Sequence, residues 1–84
     1  MNSYELLGYY ELELISVYNI KRSPHLKVKL KINNKIKSYK ISDIILVDFA
    51  IYHIDREQNF IRIKSIPKRI DTTLYVNEPF IIND

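Results

Sequence analysis

From Leu26 to Ile32 the chain alternates strictly, with Leu26, Val28, Leu30 and Ile32 in one parity and Lys27, Lys29 and Lys31 in the other. Successive side chains of a strand point to opposite faces, so this run predicts a strand with one buried and one solvated side. A second apolar and polar run, Ile36 to Ile41, follows Asn33, Asn34 and Lys35, and the two runs read together as a hairpin over Leu26 to Ile41. If Asn33, Asn34 and Lys35 form a three-residue loop, Ile32 stands opposite Ile36 and Lys31 opposite Lys37. A two-residue loop would set Ile32 against a lysine and mix the faces, so pattern and turn length together predict the three-residue register. That register gathers Lys27, Lys29, Lys31, Lys37 and Tyr39 on one basic, partly aromatic face.

Elsewhere the pattern also favours strands. Tyr9 to Ile20 alternates as Tyr10, Leu12, Leu14, Tyr18 and Ile20 against Tyr9, Glu11, Glu13, Ile15 and Val17, becoming apolar on both sides in its second half. Tyr4 to Leu7, before it, suits a short helical turn or a strand start. Lys21 to His25 is a turn, because Ser23 can bond nearby backbone and Pro24 cannot continue a ladder. Ile44 to Ile54 reads as a central strand covered on both sides, with Ile45, Val47, Phe49 and Ile51 on one face. Helical spacing of Ile44, Val47, Asp48 and Ile51 behind Ser42 is the alternative, and β-branched content decides for the strand. Asp55 to Asn59 is a polar loop and Phe60 to Ile66 a strand ended by Pro67. Lys68 to Thr73 is a connection, and Leu74 to Val76 and Phe80 to Ile82 are short strands, the last an edge because Pro79 adjoins it. The chain has one glycine, Gly8, so turns needing positive φ fall to Asn33, Asn34 and Asn59. Five to six short strands joined by short turns predict an all-β fold, a small antiparallel barrel or sandwich.

At 84 residues the chain is one small domain, residues 1–84, close to the size at which a core is only just sufficient. There is no cysteine, which removes disulfides, thiolate metal sites and cysteine nucleophiles. Glu5, Glu11 and Glu13 interrupt the early apolar residues, and Asp48 interrupts the most apolar segment. No signal peptide and no membrane span are therefore expected, and the predicted location is cytoplasmic. The net charge of +3 permits an acidic partner without requiring one.

Candidate chemistry is sparse. The lysine face with Tyr39 has the ingredients of a single-strand nucleic-acid platform, in which cations neutralise phosphates and a ring stacks on a base. Lysines on a solvated sheet face also keep a sheet soluble and block edge-to-edge pairing, and that use is the commoner one. Arg62 and Lys64, with Arg56, Lys68 and Arg69 nearby in sequence, form a second basic group diluted by Asp55, Glu57 and Asp71. His53 and Asp55 share a strand face, but a metal would need a distant third ligand such as His25. Asp48, within an apolar run, needs a cation such as Lys40 or Arg62, or a backbone donor. No nucleophile elbow, phosphate loop or zinc-helix motif occurs, so no enzyme activity and no cofactor are predicted.

The expectation for function is a non-catalytic protein-binding module, of the kind that inhibits, neutralises or accompanies a partner by occupying its surface. The candidate partner-binding residues are Lys27, Lys29, Lys31, Lys37, Tyr39, Arg62 and Lys64. Single-stranded nucleic acid is the alternative partner, and a homodimer is open.

Overall fold

A computed structural model of the chain describes residues 9–83, so the expectation for Tyr4 to Leu7 lies outside the described residues. It is all-β, with eight strands: β1 (Tyr9–Asn19), β2 (Leu26–Ile32), β3 (Lys35–Lys40), β4 (Ile44–Ile45), β5 (Phe49–Asp55), β6 (Phe60–Ser65), β7 (Ile70–Tyr75) and β8 (Phe80–Asn83). They form two antiparallel four-stranded sheets, β3-β2-β1-β8 and β4-β5-β6-β7, here called sheet A and sheet B. The sheets do not close into a barrel, and the strands outnumber the five to six expected. One extra strand comes from a run read as single, and the strand expected at Leu74 to Val76 starts earlier than its pattern implied. Ile44 to Ile54 is a hairpin of β4 and β5 rather than one strand, and β7 begins at Ile70 inside the segment expected to be a connection. As Pro79 predicts, β8 is an edge of sheet A.

One core joins the sheets. Leu12, Leu14, Val17, Val28, Leu30 and Ile82 come from sheet A, and Ile45, Phe49, Ile51, Ile61, Ile63 and Leu74 from sheet B. Each such side chain, once buried, contributes roughly 1.5–3 kcal/mol of transfer free energy. A single parallel bridge, Leu14 to Val76, ties β1 to the end of sheet B, and Asn77 N–H donates to the Leu14 carbonyl beside it.

The hairpin of β2 and β3 forms, but with a two-residue turn. Ile32 stands opposite Lys35, Lys31 opposite Ile36, Leu30 opposite Lys37 and Val28 opposite Tyr39. Asn33 and Asn34 take φ of 48° and 72°, the double left-handed geometry of a turn whose twist matches that of the strands. Asn33 is buried; its N–H donates to the Glu11 carbonyl at 3.0 Å and its Oδ1 accepts from Glu11 N–H at 2.9 Å. Those bonds fix the turn against β1 and outweigh the alternation argument. The mixed faces cost little because β3 is an edge strand: Lys35 and Lys37 share the parity of the core yet remain exposed.

Two bulges shift side-chain parity. In β1, Ile15 and Ser16 stand where β2 supplies Lys29 alone, so Val17 turns inward onto Val28 and Tyr18 turns outward beside Lys27. In β5, Tyr52 and His53 stand opposite Arg62, which sends both rings to the outer face and returns Ile54 inward opposite Ile61. The turns use the expected Asn59 at positive φ, together with Arg22, Ser42, Leu46, Val47, Arg69 and Asn77.

Candidate functional site

The candidate residues separate onto different surfaces. Lys27, Lys29 and Lys31 lie on the outer face of sheet A, with Tyr18, Ser38 and Lys40. Lys37 and Tyr39 do not join them, since the two-residue turn gives β3 the opposite parity. Tyr39 instead packs half-buried against the core, and its phenol is pushed above its ordinary pKa by that burial and then by Asp43. The lysine face is also less open than its sequence implies. Lys31 Nζ lies 3.7 Å from Glu13. Lys29 sits over the Tyr18 ring at 5.9 Å, while the Tyr18 hydroxyl donates to Ser38 Oγ at 2.9 Å.

Arg62 and Lys64 lie on the outer face of sheet B. There they flank Tyr52, with the Lys64 ammonium 4.8 Å and the Arg62 guanidinium 5.7 Å from the ring centre. Tyr52 donates its hydroxyl proton to Asp71. That hydrogen bond is the main cause of a raised phenol pKa, with burial adding to it and the Arg62 charge opposing it. Beside this group three rings cross the sheet in a row. His53 on β5 lies 5.6 Å from Phe60 on β6, and Phe60 lies 5.7 Å from Tyr75 on β7, all tilted. With Tyr52, Arg62 and Thr73 they border a shallow depression of about 420 Å³. Tyr75 is 47% exposed. The sequence contained these residues, but they come from three strands, and only the bulge at Tyr52 and His53 puts both of those rings on this face.

The other candidates resolve structurally. Arg56 bonds Asn59 in the β5–β6 turn, and Asp55 Oδ1 accepts from Gln58 N–H at 2.8 Å. Asp48 lies in the β4–β5 turn rather than within a strand. It pairs with Lys68, not Lys40 or Arg62, with both oxygens at 2.8 and 3.0 Å from Nζ. That pair ties two turns whose tips expose Val47 (93%) and Ile66 (80%). His25 and His53 border a common cleft, yet no group of three metal-ligating side chains occurs among the described residues. No helix among them is long and apolar enough to cross a membrane.

Compared with family models, with curated proteins and with solved structures, the chain finds no match. The functional reading therefore rests on the surfaces themselves.

Proposed function

We propose that the protein is a non-catalytic binding module that occupies a partner protein's surface through the outer face of sheet B. The observation that carries this reading is the row of His53, Phe60 and Tyr75, with ring centres 5.6 and 5.7 Å apart, lying beside Arg62 on a hydrogen-bonded sheet. Aromatic residues and arginine supply most binding hot spots, because they bury large area at small cost in conformational entropy. The face mixes charges, Arg62 and Lys64 against Asp55 and Asp71, which suits a protein surface better than a polyphosphate. In this reading Arg62 takes a carboxylate of the partner, while the rings take its apolar groups.

Single-stranded nucleic acid is the second reading, favoured by the shared face of Lys27, Lys29 and Lys31. It ranks lower because Tyr18, the ring among those lysines, already lies under Lys29 and holds Ser38 through its hydroxyl.

Affinity capture from the native cell, with and without nuclease, tests both. A protein captured by the wild type, retained after nuclease, and lost on combined Arg62→Ala and Tyr75→Ala substitution supports the proposal. Two hot-spot residues at about 2 kcal/mol each lower affinity by roughly 10²–10³-fold. Equal capture by the double variant overturns the choice of face. Nuclease-sensitive capture, weakened by Lys29→Gln with Lys31→Gln and falling with salt by about 0.7 log units per log unit for each phosphate engaged, makes nucleic acid the partner. Sedimentation of the isolated protein decides whether a second copy of the chain is that partner.

A further inference from the structure

The core is open at the end of the molecule where the β1–β2 turn, the β3–β4 connection and the end of β5 meet. Inward-facing Val17, Val28 and Ile51 are buried there, but beyond them Leu26 and Ile54 are covered only in part, and Ile20 and Ile41 are 40% and 47% exposed. These four apolar side chains line a cleft of about 830 Å³, within the range of small-molecule sites.

The polar margin of this cleft is cationic. Lys27 and Lys40 border it from the outer face of sheet A, at the end of the β2–β3 ladder, where they stand directly opposite each other. Like charges in that cross-strand position repel and destabilise the pair. Neither lysine has a carboxylate ion-pair partner among the described residues, whose salt bridges are Lys31–Glu13 and Lys68–Asp48. The one carboxylate at the margin among the described residues, Asp43, uses one oxygen to accept Lys40 N–H at 2.9 Å and so closes its own turn. His25 and His53 complete the margin and add no negative charge.

We propose that this cleft binds an amphipathic organic anion, a carboxylate carried on an apolar body. Its carboxylate lies between the Lys27 and Lys40 ammonium groups, where it cancels their repulsion, and its apolar part covers Leu26, Ile54, Ile20 and Ile41. The cleft meets the aromatic row of sheet B at His53 but includes none of Phe60, Arg62 and Tyr75, so loss of ligand binding through Lys27 and Lys40 and loss of partner capture through Arg62 and Tyr75 can be told apart.

The test is titration of the whole protein, followed by NMR and calorimetry, with three probes: decanoate, decylammonium and acetate. Decanoate is expected to bind saturably at one site and to shift the methyl signals of Ile41 and Ile54. Decylammonium, with the same tail and opposite charge, binds at least about tenfold more weakly, and acetate shows no saturable binding. Lys27→Gln with Lys40→Gln lowers decanoate affinity by about tenfold or more while leaving the fold intact and no less stable, because it removes a repulsive pair. Ile54→Trp, which fills the cleft, abolishes binding; Ile41→Trp at the margin serves the same purpose if the first variant does not fold. Equal affinity for decanoate and decylammonium, shifts confined to another surface, or no saturable binding of decanoate overturns the proposal.

Discussion

Val47 occupies a backbone conformation that its side chain resists. Its φ is 71°, next to Leu46 at 49°, and the turn is closed by Asp48 N–H donating to the Leu46 carbonyl at 2.8 Å. A left-handed residue other than glycine costs roughly 1–2 kcal/mol, and a β-branched one lies at the upper end because its Cβ substituents crowd the carbonyl. The side chain recovers almost nothing, being 93% exposed. Val47→Gly removes the steric cost and adds about 0.5–1 kcal/mol of unfolded-state entropy, leaving a net stabilisation of about 0.5–1 kcal/mol. For a domain of this size that raises the melting temperature by roughly 2–8 °C. Thermal and urea unfolding followed by circular dichroism measure it, with Val47→Ala as the control that keeps a Cβ and moves stability less. A glycine variant no more stable than the wild type refutes the strain argument, since no packing is lost with the side chain. The Asp48–Lys68 pair is undisturbed in both variants.

Three other outcomes are expected. Val28→Asp unfolds the domain, because Val28 is 0% exposed and the new carboxylate has no partner, a cost above about 4 kcal/mol visible as lost β-sheet circular dichroism. Asn33→Ala destabilises by about 1–3 kcal/mol in urea unfolding, since Glu11 N–H loses its acceptor and alanine must take positive φ, whereas Asn34→Gly is neutral or stabilising. At alkaline pH, Tyr39 and Tyr52 both hold their protons more tightly folded than unfolded, so their contribution is complete below pH 10.0 and is lost as pH rises through the raised folded values. Phenylalanine at both positions should flatten the fall in stability above that pH, and an unchanged slope would count against both assignments.

Much of the fold was legible because its main strands announce themselves by period. Leu26 to Ile32 and Phe60 to Ser65 are strands where alternation places them, Ser23 Oγ accepts His25 N–H in the expected turn, and Asn33, Asn34 and Asn59 take the positive φ that glycine would otherwise supply. The failures have two causes, and the first is that alternation assumes an uninterrupted ladder and an apolar side chain that must be buried. In the β4–β5 hairpin neither holds. Leu46 and Val47 form a strained turn, and Val47 faces solvent, although by composition both belong to the most β-favouring run of the chain. The second acts at the β2–β3 turn, where the reciprocal bonds between Asn33 and Glu11 are tertiary, and a hairpin considered alone cannot contain them.

Those interruptions also determine where the surface chemistry lies. Without the bulge in β1, continued alternation would put Tyr18 in the core and Val17 in solvent; with it, Tyr18 lies among the lysines of sheet A and is spent there on Lys29 and Ser38. Without the bulge in β5, His53 would point inward; with it, His53 joins Phe60 and Tyr75, while Tyr52 collects Arg62, Lys64 and Asp71. Each bulge thus turns a ring outward, but with opposite consequences. On sheet A the ring is consumed by neighbours that restrain the basic face, whereas on sheet B a row of rings stays open beside an arginine. The difference between the faces is one of availability rather than residue type, and it places the proposed protein contact on sheet B although the denser run of positive charge lies on sheet A.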